Sequence, residues 1–230
     1  MGKEPHFPSG LVITVDGNSG SGKSSLAKKL AIKLNWSFLD SGAWYRALTW
    51  AALRAGIDTE NEEAVLATLS EIEIHCDSHG KVFVDGEACT TCLRTPLIDQ
   101  HVSEVADHVA VRSALNQRMR EMDCSSKAEG LVADGRDAGT IIFPEASLKV
   151  FVQASLKVRA KRRFMQMQEN GVDISLPEVE TALAARDAHD ALRGDAAPHP
   201  TVQSRILDND NKSLEEAVGC LLTWALQLQD

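Results

Sequence analysis

Between Gly17 and Ser24 the chain reads Gly-x4-Gly-Lys-Ser, a spacing that suits the wrapping of a polyphosphate. Each residue type has a task there. Gly17, Gly20 and Gly22 let the backbone take positive φ, so that the N–H groups of Asn18, Ser19, Gly20, Ser21 and their neighbours turn inward on phosphate oxygens. A helix opening near Gly22 adds its positive N-terminal end. Lys23 is expected on the β/γ-phosphates, Ser24 on Mg²⁺, and Ser25 closes the run "GNSGSGKSS". A plain Gly/Ser turn could join the same elements, but motif, preceding strand and following helix all agree with the phosphate reading. The chemistry expected is the binding of a nucleoside triphosphate with Mg²⁺.

A second set of residues could act on the terminal phosphoryl group. The protein is acidic, with 24 basic against 33 acidic residues, yet its arginines gather in a few strings. These are "DSGAWYR" (40–46), "DGRDAGT" (134–140), "KVRAKRR" (157–163) and "RDAHDALR" (186–193). In the last, Arg186, Asp190 and Arg193 stand at i, i+4 and i+7, one helix face. Guanidinium forks grip phosphate oxygens in pairs, and carboxylates accept hydrogen bonds from sugar hydroxyls or base amino groups. Taken alone, a basic helix is usually a solvated face, and such a ladder of charges is worth only tenths of a kcal/mol. Beside a phosphate loop the balance changes, because phosphoryl transfer is catalysed chiefly by positioning and positive charge. A phosphate-bearing acceptor would need no separate general base.

These residues need a scaffold, and the pattern supplies one. "LVITV" (11–15), "WSFLD" (36–40), "LVADG" (131–135), "LKVFVQA" (148–154) and "SRILD" (204–208) read as strands, several of them apolar enough to be buried on both faces. Helices are predicted over about 22–34, 42–55, 61–70, 96–122, 158–168 and 175–191, with a last one capped by Ser213. "EIEIHCD" and "KVFVDGE" alternate with period two around "SHG", which predicts a small antiparallel insertion over roughly 71–93. Asp40 or Ser41 can cap the helix that carries Arg46. The fold class expected is α/β: a P-loop three-layer parallel sheet with flanking helices, in which ligands sit at the carboxyl ends of the strands.

Composition narrows the setting. A net charge of −9 argues against a general nucleic-acid coat. No run of about 18 apolar residues predicts a membrane span. "MGKEPHFPSG" has no apolar core of a secretory signal, and His6 stands where a myristoylation signal needs Ser or Thr. Those first ten residues are expected to be a loose tail. Five cysteines without an export signal suit reduced thiols in the cytoplasm. Cys89-Thr90-Thr91-Cys92 lacks the second pair of a zinc ribbon, and Cys76, Cys124 and Cys220 read as ordinary small residues.

The strings together resemble the bacterial-type cytidylate kinases, of the nucleoside monophosphate kinase group of P-loop proteins. The resemblance runs from about 11 to 227. It is carried by "DGNSGSGKSS", "LDSGAWYRALTWAAL", "ADGRDAGTIIFPEA", "ASLKVRAKRR", "RDAHDALR" and "LDNDNKSLEEAV". Asn18 departs from the proline many members carry, but Asn tolerates left-handed backbone. The resemblance implies one P-loop kinase domain over 1–230, with a core of about 11–40, 95–153 and 194–230. It places a monophosphate-binding region at about 41–94, holding the 71–93 insertion, and a helical lid at about 155–170. It implies transfer of the γ-phosphoryl group of ATP to CMP or dCMP, with Mg²⁺. From the sequence itself no nucleic-acid or membrane partner is expected, and nothing demands more than a monomer. By the same resemblance Ser41 and Arg46 meet the acceptor nucleotide, Ser103, Arg112 and Asp137 read the cytosine, and Arg136 and Arg193 bind phosphate. Arg186 and Asp190 hold the sugar, while Arg159 and Arg163 close from the lid onto the donor. Lys23, Arg136, Arg193, Arg159 and Arg163 are then the residues at the transferring group.

Three rivals stand beside this. A kinase of UMP, AMP or shikimate would share the loop and the fold. A GTP-dependent switch would need Asn/Thr-Lys-x-Asp, and "DNKSLEE" puts Ser213-Leu214 where x-Asp belongs. RNA binding through the basic helix finds no interleaved aromatics.

Overall fold

A computed structural model describes residues 10–89, 92–121, 130–169 and 171–229. The expected N-terminal tail (but for Gly10), Thr90, Thr91 and Cys124 lie outside the described residues. Five parallel strands form the main sheet in the order β2-β6-β1-β7-β8. They are β1 (Leu11–Asp16), β2 (Ser37–Asp40), β6 (Gly130–Gly135), β7 (Leu148–Gln153) and β8 (Arg205–Asp208). Because side chains alternate along a strand, β1, β2 and β6 feed two cores. Leu39, Leu131 and Ala133 pack on one face with Leu48, Val105 and Leu115. Phe38, Val132, Ile13 and Val15 pack on the other with Leu26, Leu30 and Leu221. That alternation makes three layers. Helices α1 (Lys23–Leu34) and α8 (Leu214–Leu226) cover one face. The opposite face is covered by α2 (Ser41–Arg54), α3 (Glu62–Glu71), α4 (Pro96–Asp107) and α5 (Val109–Glu121). Beyond the sheet, α6 (Leu156–Glu169) packs on α7 (Leu176–Ala191) through Ala160, Val179 and Leu183.

The insertion is a three-stranded antiparallel sheet, β3 (Ile74–Cys76), β4 (Val82–Val84) and β5 (Glu87–Ala88). It is pinned to the end of β2, where Phe38 N donates to Ser78 O at 3.2 Å. Gly80 packs on the Phe38 ring, which a Cβ there would approach to 2.5 Å. The insertion is thereby held against β2, the edge strand of the main sheet.

One expectation is corrected. The single helix predicted over 96–122 is two helices, broken at His108 (ψ 117°). No Gly or Pro marks the break, because its cause is tertiary. The His108 ring lies 2.8 Å from Thr59 O, and Glu62 accepts from Ala110 N at 2.8 Å, taking a donor at the start of α5. A short π-helical turn, Ala138–Ile142, was also not foreseen. No helix among the described residues is long and apolar enough to cross a membrane.

Candidate active site

The five parallel strands all end on one side, and the strings singled out in the sequence emerge there. β1 runs into the glycine loop. Gly17 (φ 151°) must be glycine, since a Cβ would stand 2.4 Å from Val152 O of the neighbouring strand. Gly22, at φ 92°, closes the loop and opens α1. The loop is braced from behind: Arg159 Nη1 donates to Ser19 O at 3.1 Å, and Asn209 Nδ2 to Ser21 O at 2.8 Å. Arg162 adds a bond to Ser21 O at 3.3 Å.

Asp40 is the residue that caps α2, accepting from Ala43 N at 3.0 Å, and Ser41 becomes the first helical residue. One turn on, Arg46 donates to Leu93 O and to Asp99, which also meets Arg163 Nη2 at 3.4 Å. The end of β6 delivers Asp134, Arg136 and Asp137 together. Arg112 of α5 pairs with Asp137, and its guanidinium lies over the Tyr45 ring. Arg136 Nε stands 2.6 Å from Asp190 Oδ2, an ion pair without hydrogen-bond alignment. Arg193 takes the other oxygen of Asp190 at 2.6 Å and Asp107 at 2.8 Å, with Ser103 O at 3.5 Å. The i,i+4,i+7 ladder is therefore only half present: Arg193 pairs with Asp190, whereas Arg186 Nε is buried without a hydrogen-bond partner.

One cleft of about 740 Å³ joins these groups. Ser19, Gly20, Gly22, Lys23, Ser24 and Ser25 line one end, with Arg162 and Arg163 of α6. Ser41, Arg46, Ser103, Arg112, Arg136, Asp137, Arg186 and Arg193 line the other. Gly17, Asn18 and Ser21 form the floor of the loop outside this lining, and Asp190 is buried behind the arginines it pairs with. Arg159 is buried too, its guanidinium spent on Ala154 O, Ser19 O and Asp187; among the three arginines of α6, 162 and 163 face the cleft.

The electrostatics are those of an anion site. Arg186 is pushed down to about 10, first by burial and next by the charge of Arg136. Lys23 is lowered for the same first reason, with attraction to Asp134 opposing it. Burial raises Asp134 to about 6 even with Lys23 nearby, and raises Asp137 against its pairing with Arg112. A dianionic phosphate beside these guanidiniums would relieve their mutual repulsion.

A sequence model of the cytidylate kinase family matches residues 13–226. The chain belongs to the cytidylate kinase family. A cytidylate kinase of Stutzerimonas stutzeri (strain A1501) is 41% identical over 217 residues, 92% of this chain and 93% of the relative. The cytidylate kinase of Pseudomonas syringae pv. tomato (strain ATCC BAA-871 / DC3000) is 42% identical with the same coverage. In fold alone, an uncharacterized protein from Eubacterium ventriosum ATCC 27560 superposes with a TM-score of 0.51 at 14% identity, over 93% of this chain and 97% of that one.

In and around the cleft lie groups to which the sequence assigns no role. Asp134 lies near Ser24, and its Oδ1 is buried without a hydrogen-bond partner. An acidic residue ending an apolar strand was the available signal, in "LVAD". Asp99 and Asp107 carried none, since only the fold sets them against Arg46 and Arg193. Cys92 Sγ lies 2.9 Å from Cys89 O, and burial first pushes the Cys89 thiol up to about 11, a poor nucleophile. Asp134→Asn is expected to lower kcat about a hundredfold or more, because a neutral amide would be a poorer ligand than a carboxylate for a divalent cation placed beside Ser24. A Mg²⁺ titration of initial rate would check it; a curve superimposable on the parent's would refute the role.

Proposed function

We propose that the chain transfers the γ-phosphoryl group of ATP to CMP or dCMP, giving ADP and CDP or dCDP. The observation that carries this reading is the one cleft, about 740 Å³, whose lining holds both the glycine loop and the Arg/Asp cluster. Family membership and the cytidylate kinases it resembles over nearly their whole length support the acceptor.

The loop N–H groups and Lys23 hold the donor phosphates. Ser24 and Asp134 offer hard oxygen ligands that fit Mg²⁺, and the unpartnered Asp134 Oδ1 suits that use. When bound, the ion would neutralise charge on the donor's terminal oxygens. Arg46, Arg136 and Arg193 grip the acceptor phosphate, whose oxygen attacks the γ-phosphorus in line with the departing ADP. Arg162 and Arg163 neutralise the equatorial oxygens, and Arg159 acts through the loop by holding Ser19 O. Asp137 in its Arg112 pair accepts from the cytosine amino group, Ser41 and Ser103 complete the acceptor contacts, and Arg186 and Asp190 address the sugar. Closure of α6 over the donor would exclude water and suppress hydrolysis.

The test is ADP release with Mg·ATP against CMP, dCMP, UMP, AMP, GMP and shikimate, one at a time. CMP and dCMP should lead. Turnover led by another acceptor would keep the loop assignments and overturn those of the cytosine contacts; silence with all six would overturn the reading.

A further inference from the structure

Asp16 is the last residue of β1 and directly precedes Gly17, yet the proposed mechanism gives it no task. It is buried, and among the described residues no Lys, Arg or His forms an ion pair with it. Its charge meets two backbone donors instead: Ala138 N reaches Oδ1 and Gly139 N reaches Oδ2, each at 2.8 Å. Burial, with Asp137 and Asp134 nearby, raises it to about 7 against the pull of those two bonds. A buried carboxylate without a cation is costly, so the two bonds are what retain it there.

Those donors open the π-helical turn that follows Arg136 and Asp137. The packing around them is at backbone contact. A Cβ on Gly139 would stand 2.5 Å from Thr14 Oγ1 and 3.1 Å from Asp16 Oδ2. One on Gly135 would stand 2.9 Å from Ser41 Oγ and 3.2 Å from Asp16 Oδ1. The ends of β1 and β6 and the start of α2 therefore meet around one carboxylate. On one side of it lies the donor loop. On the other lie Arg136, paired with Asp190, and Asp137, paired with Arg112.

We propose that Asp16 is a positioning residue for the acceptor: it bolts the Arg136–Asp137 turn to the root of the phosphate loop and so fixes the register between the two nucleotides. This rests on the acceptor assignments proposed above. It acts on no substrate atom. Its effect comes through placement, where a shift of about 1 Å can cost about a hundredfold in rate.

The test uses Asp16→Asn and Gly139→Ala in the full chain. The amide of D16N faces one backbone N–H with a second donor, while G139A wedges the same junction apart and removes no hydrogen-bonding group. Gly139 does not have a positive φ, so alanine there brings no backbone strain. Both variants are expected to raise KM for CMP about tenfold or more and lower kcat. Both should leave the dissociation constant of a non-hydrolysable Mg·ATP analogue within about twofold, by calorimetry. Leu221→Ala, in the core under α8, supplies a destabilised comparison that should lower Tm without moving KM for CMP. If D16N does not fold, G139A carries the measurement. A KM for CMP within about twofold of the parent's in the folded variants would overturn the proposal. So would acceptor and donor affinities falling together, the mark of a general loss of structure. A parent protein that does not turn over CMP would bring down the acceptor assignment itself, and this proposal with it; that result appears before any variant is measured.

Discussion

Replacing Lys23 with alanine is expected to lower kcat about a thousandfold or more, which is about 4 kcal/mol of transition-state stabilisation. Lys23 is the first residue of α1 and lines the donor end of the cleft. Burial holds its ammonium below the usual range, and Asp134 pulls the other way, so its charge is poorly solvated by water. Such a charge is worth most to a ligand that brings its own negative charge. Of the other cations lining that end, Lys28 is exposed to solvent, Arg162 is engaged with Ser21 O and Asn209 O, and Arg163 reaches Gln166 and Asp99. The loss should not unfold the chain. Without Lys23, Asp134 loses the attraction that lowers it, rises further from about 6, and takes up a proton near neutral pH, which discharges the buried group. The expected result is a normal circular-dichroism spectrum, CMP binding within about twofold of the parent's by calorimetry, and turnover at the detection limit. Unchanged kcat would overturn the assignment of the loop to the donor.

Much of this site was legible before any fold was known, for reasons that differ residue by residue. The loop was legible because its spacing is local: glycine torsions, the lysine and the hydroxyl act within eight residues, and β1 and α1 flank them. The strands were legible because burial on both faces leaves no polar alternation, as "LVITV" and "LKVFV" show. The insertion declared itself by the opposite pattern, alternation around a turn. What escaped was set across the chain. The break at His108 depends on Thr59 and Glu62, far away in sequence. The π-helical turn depends on Asp16, over a hundred residues upstream. Within α6 the choice among Arg159, Arg162 and Arg163 depends on which face α7 covers, and Asp187 of α7 claims Arg159. Asp134 sat in a quoted string, but it is set beside the glycine loop only by the parallel pairing of β1 with β6.

Arg193→Ala is expected to lower kcat/KM for CMP about a thousandfold, and the network around it explains why the loss should exceed that of one phosphate contact. Asp190 is nearly fully buried between Arg136 and Arg193. Arg136, Arg186 and Arg193 against Asp190 and Asp107 leave net positive charge for a phosphate. Removing Arg193 leaves Arg136 matched by Asp190 alone, and leaves Asp107 with only His189 beside it, so the acceptor meets carboxylates where it met a cation. Stability should fall as well, by about 2 kcal/mol, since a buried charge loses one of its partners while Arg136 remains. These two effects are separable. Arg193→Lys restores charge without the fork that spans Asp190 and Asp107, so it should recover part of the turnover and little of the stability. Raised ionic strength should not reproduce the variant, because the pair with Asp190 is out of solvent. Should R193A lose stability while turning over CMP at close to the parent rate, Arg193 would be a strut between α4 and the end of α7. The acceptor phosphate would then rest on Arg46, Arg136 and Arg186.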